Sequence, residues 1–199
     1  MSEYNLERLN FLIVDDNRHM RALVKTILHA LGCKNVVEAS DGADAFKELK
    51  HFAADIIICD WNMDPLDGID FTRLVRTGAD SPNPFVPIIM LTGHTEMNKV
   101  TEARDAGVHE FLAKPIAARG LYARIKAIIE KPRAFVRSKT YFGPDRRRKD
   151  SPQYNGPDRR TAGDDAGMAG GTGGGMGQAE QQDDGPNLSQ DEIEALLNG

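Results

Sequence analysis

The sequence predicts an α/β domain followed by a long tail. The domain is read as a doubly wound, five-stranded parallel sheet with five helices. The tail is read as largely disordered, ending in a short amphipathic helix. Two observations predict the domain. Between residues 10 and 130, short apolar runs alternate with segments of helical period. The runs are continuously apolar, which suits strands covered by helices on both faces of a sheet. A third observation predicts the tail: after Glu130 the alternation stops.

Taken in order, FLIV (11–14) is the first strand. Met20, Leu23, Val24, Ile27, Leu28 and Leu31 then recur on one helical face, and Gly32 stops that helix. NVVEA (35–39) is the second strand, with Ser40 placed to cap the second helix. DIIIC (55–59), VPIIML (86–91) and HEFLA (109–113) are the third, fourth and fifth strands. Leu121, Ile125, Ile128 and Ile129 mark the apolar face of the last helix. These elements set a domain over residues 8–130.

The net charge of −5 conceals a strong asymmetry. Residues 1–130 carry 15 basic and 19 acidic residues, 131–160 carry 10 and 3, and 161–199 carry none and 8. A mildly acidic domain is thus followed by a basic band and an acidic end, a pattern typical of segments that meet partners. The two cysteines, Cys33 and Cys59, have no metal-like spacing and are too few for a disulfide framework. No apolar leader and no run of 18 apolar residues is present, so a soluble, cytoplasmic protein without membrane insertion is expected.

Within the basic band, YFGPDRR (141–147) and YNGPDRR (154–160) match at six of seven positions with a period of 13. Gly-Pro-Asp reads as a turn. The band, residues 131–160, is read either as a solvated linker or as a docking element. Nucleic-acid binding would want a denser arginine array or a known module, and no DNA-binding domain follows. Residues 161–187 are rich in Gly, Gln and Asp and read as disordered linker. Residues 188–199 read as the terminal helix.

In doubly wound sheets, chemistry gathers at the carboxyl edge of the strands. There strand 1 ends in Asp15 and Asp16, strand 3 in Asp60, strand 4 in Thr92 and strand 5 in Lys114. Three close carboxylates repel unless a cation lies among them, and hard oxygen ligands suit Mg²⁺. A carboxylate in that setting can act as a nucleophile toward phosphorus. Lys114 and the Thr92 hydroxyl would then meet the added oxygens.

FLIVDD, CDWNM, LDGIDF, IIMLTG and FLAKP also carry a resemblance. Over residues 10–130 the chain resembles the receiver domain of bacterial two-component response regulators, of the CheY-like chemotaxis type. The resemblance implies a flavodoxin-like fold with strand order 2-1-3-4-5. It implies Asp60 as phosphoacceptor, with Asp15, Asp16, Asp60 and the Asn62 backbone carbonyl holding Mg²⁺. It also implies Lys114 as the partner of the phosphoryl group, a cis bond from Lys114 to Pro115, and Thr92 with Phe111 as a switch pair. The expected donor is a histidine kinase, and slow self-dephosphorylation is expected rather than enzymatic turnover of a substrate. Two positions depart from the family's pattern. Asp64 stands where a proline is usual, with Pro65 next, and Phe111 replaces a tyrosine.

The chain ends in LSQDEIEALLNG. Ser189 is an N-cap with Glu192 three residues on, a capping box, and Leu188 and Ile193 form a hydrophobic staple. Ile193, Leu196 and Leu197 make one apolar stripe. A helix of two turns needs a groove to lie in. The segment resembles the amino-terminal peptide of flagellar motor switch protein FliM and, more loosely, the carboxy-terminal helix of phosphatase CheZ. Both resemblances imply binding to a phosphorylated chemotaxis receiver. The expected role is a phosphorylation-switched regulator of chemotaxis or motility, acting through protein contacts. Its partners would be a histidine kinase and the flagellar motor switch or other chemotaxis receivers, with self-association through the terminal helix. The alternative is an adaptor or competitor whose terminal helix captures phosphorylated receivers in cis or in trans.

Overall fold

A computed structural model of the chain describes residues 4–93 and 97–146, with 97–99 described by backbone alone. The second GPDRR unit, the linker 161–187 and the terminal helix 188–199 lie outside the described residues. The elements in chain order are β1 (Asn10–Val14), α1 (Arg18–Ala30), β2 (Asn35–Ala39), α2 (Gly42–Glu48), β3 (Ile56–Asp60) and α3 (Gly68–Thr77). Then come β4 (Ile88–Thr92), α4 (Met97–Ala106), β5 (Glu110–Ala113), α5 (Ala118–Glu130), β6 (Phe135–Arg137) and β7 (Phe142–Pro144). The first five strands form one parallel sheet in the order β2-β1-β3-β4-β5.

Strand side chains alternate between faces, and the core divides accordingly. Phe11, Ile13, Ile56, Ile58, Ile89, Leu91 and Leu112 pack with Val24, Ile27 and Leu28 of α1 and Leu121 and Ile125 of α5. Leu12, Val14, Ile57, Cys59, Ile88, Met90 and Phe111 pack on the other face with Phe46, Phe71, Val75, Val100 and Ala103 of α2, α3 and α4. The continuous apolar runs are thus two interleaved sets, one for each layer of helices. Leu23 departs from the expected face of α1 and is 43% exposed. Leu6 is buried in the α1–α5 layer, so packing begins before residue 8.

The helix starts follow capping chemistry. The Asn17 side chain accepts from the amides of His19 and Met20. For α2 the cap is Asp41, whose carboxylate accepts from the Asp44 amide, and not Ser40. Asp67 caps α3 in the same way through the Asp70 amide.

Residues 135–144 form an antiparallel hairpin, β6 with β7, that the sequence pattern does not announce. Its reversal lies at 138–141, where the Ser138 amide bonds the Tyr141 carbonyl at 2.8 Å. Gly143 and Pro144, read as a turn in sequence, belong to β7, and Pro144 closes the strand, where its missing N–H costs little. The hairpin packs on the domain at the edge where β4 and β5 begin. Phe135 and Phe142 stack edge-on against Phe85, with ring centres 5.0 and 5.4 Å away. Arg146 pairs with Asp105 of α4 at 3.2 Å. A Cβ on Gly143 would come 3.0 Å from the Gly107 Cα, so the two backbones touch.

Beneath the hairpin lies a buried polar knot. The Arg76 guanidinium donates to the carbonyls of Gly107 (3.1 Å) and Pro84 (2.9 Å) and to His109 Nδ1 (3.3 Å). It also lies 5.4 Å from the Phe135 ring centre. Burial pushes Arg76 down to about 9. Burial, with Arg76 and Arg133 nearby, pushes His109 down to about 2, so its imidazole is neutral.

Candidate functional site

The opposite edge of the sheet carries the acidic cluster. Because all five strands are parallel, every strand delivers its following residue to that edge. Asp15 follows β1 and is fully buried, while Asp16 beside it is exposed. Asp60 is the last residue of β3 and is 6% exposed. One carboxylate oxygen from each of Asp15, Asp16 and Asp60 lies within 4.8 Å of the others.

Local hydrogen bonds fix these groups. Asp15 Oδ1 accepts from the Asn17 amide at 2.8 Å, and Asp60 Oδ1 accepts from the Trp61 amide at 2.7 Å. Arg21, from the first turn of α1, donates to the Asp15 carbonyl at 2.7 Å and so braces the turn that carries both acids. Lys114 follows β5, and its ammonium lies 2.9 Å from Asp60 Oδ2 and 3.5 Å from Asp15 Oδ2. Its peptide bond to Pro115 is cis, and so is Asp64–Pro65.

Burial raises the Asp15 carboxyl above the usual carboxylate range, and the Asp60 charge raises it further. Burial alone would lower the Lys114 ammonium. Its hydrogen bond and attraction to Asp60, with Asp15 adding, outweigh that and raise it. One ammonium faces three carboxylates, and the donors are all hard oxygens. That excess of negative oxygen fits a small divalent cation such as Mg²⁺. The neighbouring Cys59 is a free, fully buried thiol, which burial pushes well up, so it is no nucleophile.

Asn62 is exposed just past Asp60 and Trp61, at the mouth of the cluster, and Asp64 is exposed as well. Thr92 ends β4 fully buried, and its carbonyl accepts from the Lys114 amide at 2.8 Å. Phe111 pairs in register with Met90, two residues before Thr92, so Thr92 and Phe111 share the α2–α4 face. Phe111 is buried there.

Two contributors were not visible as a motif of reactive groups. Trp61 acts through its backbone N–H. Gly68 acts by having no side chain: a Cβ there would lie 2.2 Å from the Asp60 carbonyl oxygen. Leu188, Ser189, Glu192, Ile193, Leu196 and Leu197 lie outside the described residues.

The model of the response regulator receiver domain matches residues 11–126. The chain belongs to that family. It is 37% identical over 123 residues to chemotaxis protein CheY of Pseudomonas aeruginosa, covering 62% of this chain and 98% of that one. It is 36% identical over 125 residues to CheY-3 of Vibrio cholerae, covering 63% and 95%. Among solved structures it resembles Vibrio cholerae CheY4 with 31% identity and a TM-score of 0.56, covering 60% of this chain and 98% of that one. It also resembles the receiver domain of a Pseudomonas aeruginosa sensor histidine kinase, with 28% identity and a TM-score of 0.55, covering 62% and 98%. That receiver is described with a magnesium ion coordinated in its active-site cleft. The chain is thus a response regulator of the chemotaxis type. Among the described residues no helix is long and apolar enough to cross a membrane.

Proposed function

We propose that this receiver accepts a phosphoryl group on Asp60 from a histidine kinase, in a cytoplasmic phosphorelay serving chemotaxis or motility. The observation that carries the reading is the contact of Lys114 with Asp60, set among three carboxylates. An Asp60 carboxylate oxygen attacks phosphorus, and the phosphorus–nitrogen bond to the donor histidine breaks with its electron pair on the imidazole. Asp15, Asp16, Asp60 and the Asn62 backbone carbonyl would hold Mg²⁺, which when bound offsets the carboxylate repulsion and the charge of the transferred oxygens. The Trp61 amide holds one Asp60 oxygen and so orients the other. Lys114, already on Asp60, moves its charge to the new phosphoryl oxygens. The Thr92 hydroxyl donates to one of them, and Phe111, on the same face, follows Thr92 as the switch partner. Output then passes through protein contacts, with slow loss of the phosphoryl group to water.

The test is labelling by acetyl phosphate with and without Mg²⁺, in wild type and Asp60→Asn. Mg²⁺-dependent, acid-labile label confined to wild type is expected. Equal labelling of Asp60→Asn, or labelling indifferent to chelator, would end the reading.

The terminal sequence favours a second role beside the first. The helix of residues 188–199 would dock by Leu188, Ile193, Leu196 and Leu197 on a phosphorylated receiver, of this chain or another, with Ser189 and Glu192 capping it. Docking in cis gives autoinhibition, and docking in trans gives an adaptor, a competitor or self-association. A synthetic peptide of residues 186–199 is expected to bind phosphorylated receiver better than unphosphorylated receiver. Equal or no binding leaves the phosphoacceptor role alone.

A further inference from the structure

Asp15 and Asp16 stand side by side at the acidic edge, but the fold holds them unequally. Asp15 is fixed at every polar group. Its amide donates to the Ala39 carbonyl at 3.3 Å, and its carbonyl accepts from Arg21 Nη1 at 2.7 Å. Its Oδ1 accepts from the Asn17 amide at 2.8 Å, and its Oδ2 lies 3.5 Å from the Lys114 ammonium. Asp16 is exposed. Among the described residues its one hydrogen bond runs from the same Arg21 nitrogen to its carbonyl, at 3.3 Å.

Arg21 is itself held. Its side chain is 16% exposed, and its Nε lies 3.5 Å from Oε2 of Glu38 on β2. Lys25, one turn further along α1, lies 2.7 Å from the other Glu38 oxygen. The Lys25 hydrogen bond, with the Arg21 charge adding, keeps the Glu38 carboxyl below the usual carboxylate range. Glu38 pairs in register with Ile13, two residues before Asp15. The guanidinium thus has one end on β2 and the other on the carbonyls of both acids. A planar fork serves both ends at once, and a single ammonium cannot.

We infer that Arg21, anchored by Glu38, is a positioning residue of the acidic site and holds the Asp15–Asp16 turn in the form that receives a divalent cation. The inference rests on the phosphoacceptor reading of the same site. Three carboxylates without a cation repel one another, and the exposed Asp16 is the one free to swing away. A constraint lost before binding must be restored on binding, so affinity for the cation falls when Arg21 is replaced. Charge alone says the opposite. A guanidinium beside the site repels a cation, so its removal would tighten binding. The two effects differ in sign, and a titration separates them.

The test titrates Mg²⁺ into full-length protein, read by the fluorescence of Trp61, the single tryptophan of the chain. Labelling of Asp60 by acetyl phosphate is followed over the same Mg²⁺ range. Arg21→Lys keeps the charge and loses the fork, and Arg21→Met loses both. In each, the Mg²⁺ concentration at half-saturation is expected to rise about 10-fold, the lower end for groups that orient metal ligands. Glu38→Gln, which loosens the far end of the guanidinium, should raise it by a smaller factor. The labelling rate at saturating Mg²⁺ should change by no more than about twofold, because the loss is in cation binding and not in transfer. Unchanged half-saturation in Arg21→Lys, or tighter binding in Arg21→Met, overturns the inference and leaves the guanidinium as a charge only. So does a labelling defect that saturating Mg²⁺ does not repair. Wild type that binds no Mg²⁺, or takes no label on Asp60, ends the phosphoacceptor reading too, so the two failures are told apart. If circular dichroism shows Arg21→Met unfolded, Arg21→Lys decides.

Discussion

The Lys114 ammonium stands 2.9 Å from Asp60 Oδ2, although β4 lies between the strands that carry them. The ammonium also reaches Asp15, at 3.5 Å, so three strands meet at one charge. The Lys114 side chain must therefore reach across the end of β4, and the Lys114 amide bonded to the Thr92 carbonyl holds its backbone beside that strand end. Lys114→Met removes a charge-assisted bond of roughly 1.5–3 kcal/mol. Labelling of Asp60 by acetyl phosphate is expected to slow about 10- to 100-fold, on the scale of about 1.4 kcal/mol for each tenfold. An unchanged rate would show that Lys114 contributes nothing to the transfer.

Gly68 sets the position of Asp60 from behind. Its amide bonds the Trp61 carbonyl at 2.9 Å, and its carbonyl accepts from the Thr72 hydroxyl at 2.7 Å, so the residue cannot retreat easily. Gly68→Ala is expected to cost about 1–3 kcal/mol of stability by overpacking. It should also slow Asp60 labelling in protein shown to be folded, and weaken Mg²⁺ binding measured by tryptophan fluorescence of Trp61. Normal labelling and Mg²⁺ affinity in the folded variant would mean that the loop yields without moving Asp60.

The hairpin belongs to the folded unit and sits at the far edge from the acids. Phe135→Ala opens the contacts to Phe85, Phe142 and Arg76. Phe135 is only half-buried, so a loss of about 1–3 kcal/mol is expected, below the range for fully buried phenylalanine. Thermal unfolding should shift down by roughly 3–10 °C. The extent of Asp60 labelling at 25 °C should not change. An unchanged melting temperature would show the hairpin to be an ornament on a domain complete at Glu130.

His109 predicts a pH dependence. It faces Arg76 from α3 and Arg133 from the segment after α5, while the Ile88 amide donates to its Nδ1 at 3.3 Å. Its folded value, about 2, lies below its unfolded value, so the unfolded chain binds the extra proton between about pH 2 and about pH 6.5. Stability contributed here is complete above about pH 6.5 and falls as pH falls, by up to about 1.4 kcal/mol per unit. His109→Asn keeps an acceptor near the Nδ1 position and does not titrate. Its stability curve below pH 6.5, from urea unfolding, should be flatter than wild type by about that slope. Parallel curves would show that His109 is protonated in the native state.

The parallel sheet was legible in sequence because each strand carries both faces' apolar residues in one run. Helices at 3.6-residue spacing filled the gaps between those runs. The acidic edge was legible as well, since the topology sends Asp15, Asp16, Asp60, Thr92 and Lys114 to the same side once the strands are known. The cap of α2 is Asp41 and not Ser40, because both have capping chemistry and only the backbone path selects between them. Leu23 falls on the apolar stripe of α1 by spacing, yet it lies with His19, Ala22 and Thr26 on the exposed side of the helix.

The sequence by itself determined the layers, the strand ends and the types of side chain delivered to them, because periodicity and strand direction are local properties of the chain. The tertiary structure alone decided the hairpin. Strands of three residues have too short a period to read, and their burial comes from Phe85, Arg76, Gly107 and His109, which lie 26 to 59 residues before Phe135. It alone decided that Gly143 and Pro144 continue a strand, because the Gly107 backbone offers Gly143 a contact that no turn residue would need. And it alone gave Gly68 its place behind Asp60, since a missing side chain has no signature until another backbone occupies the space.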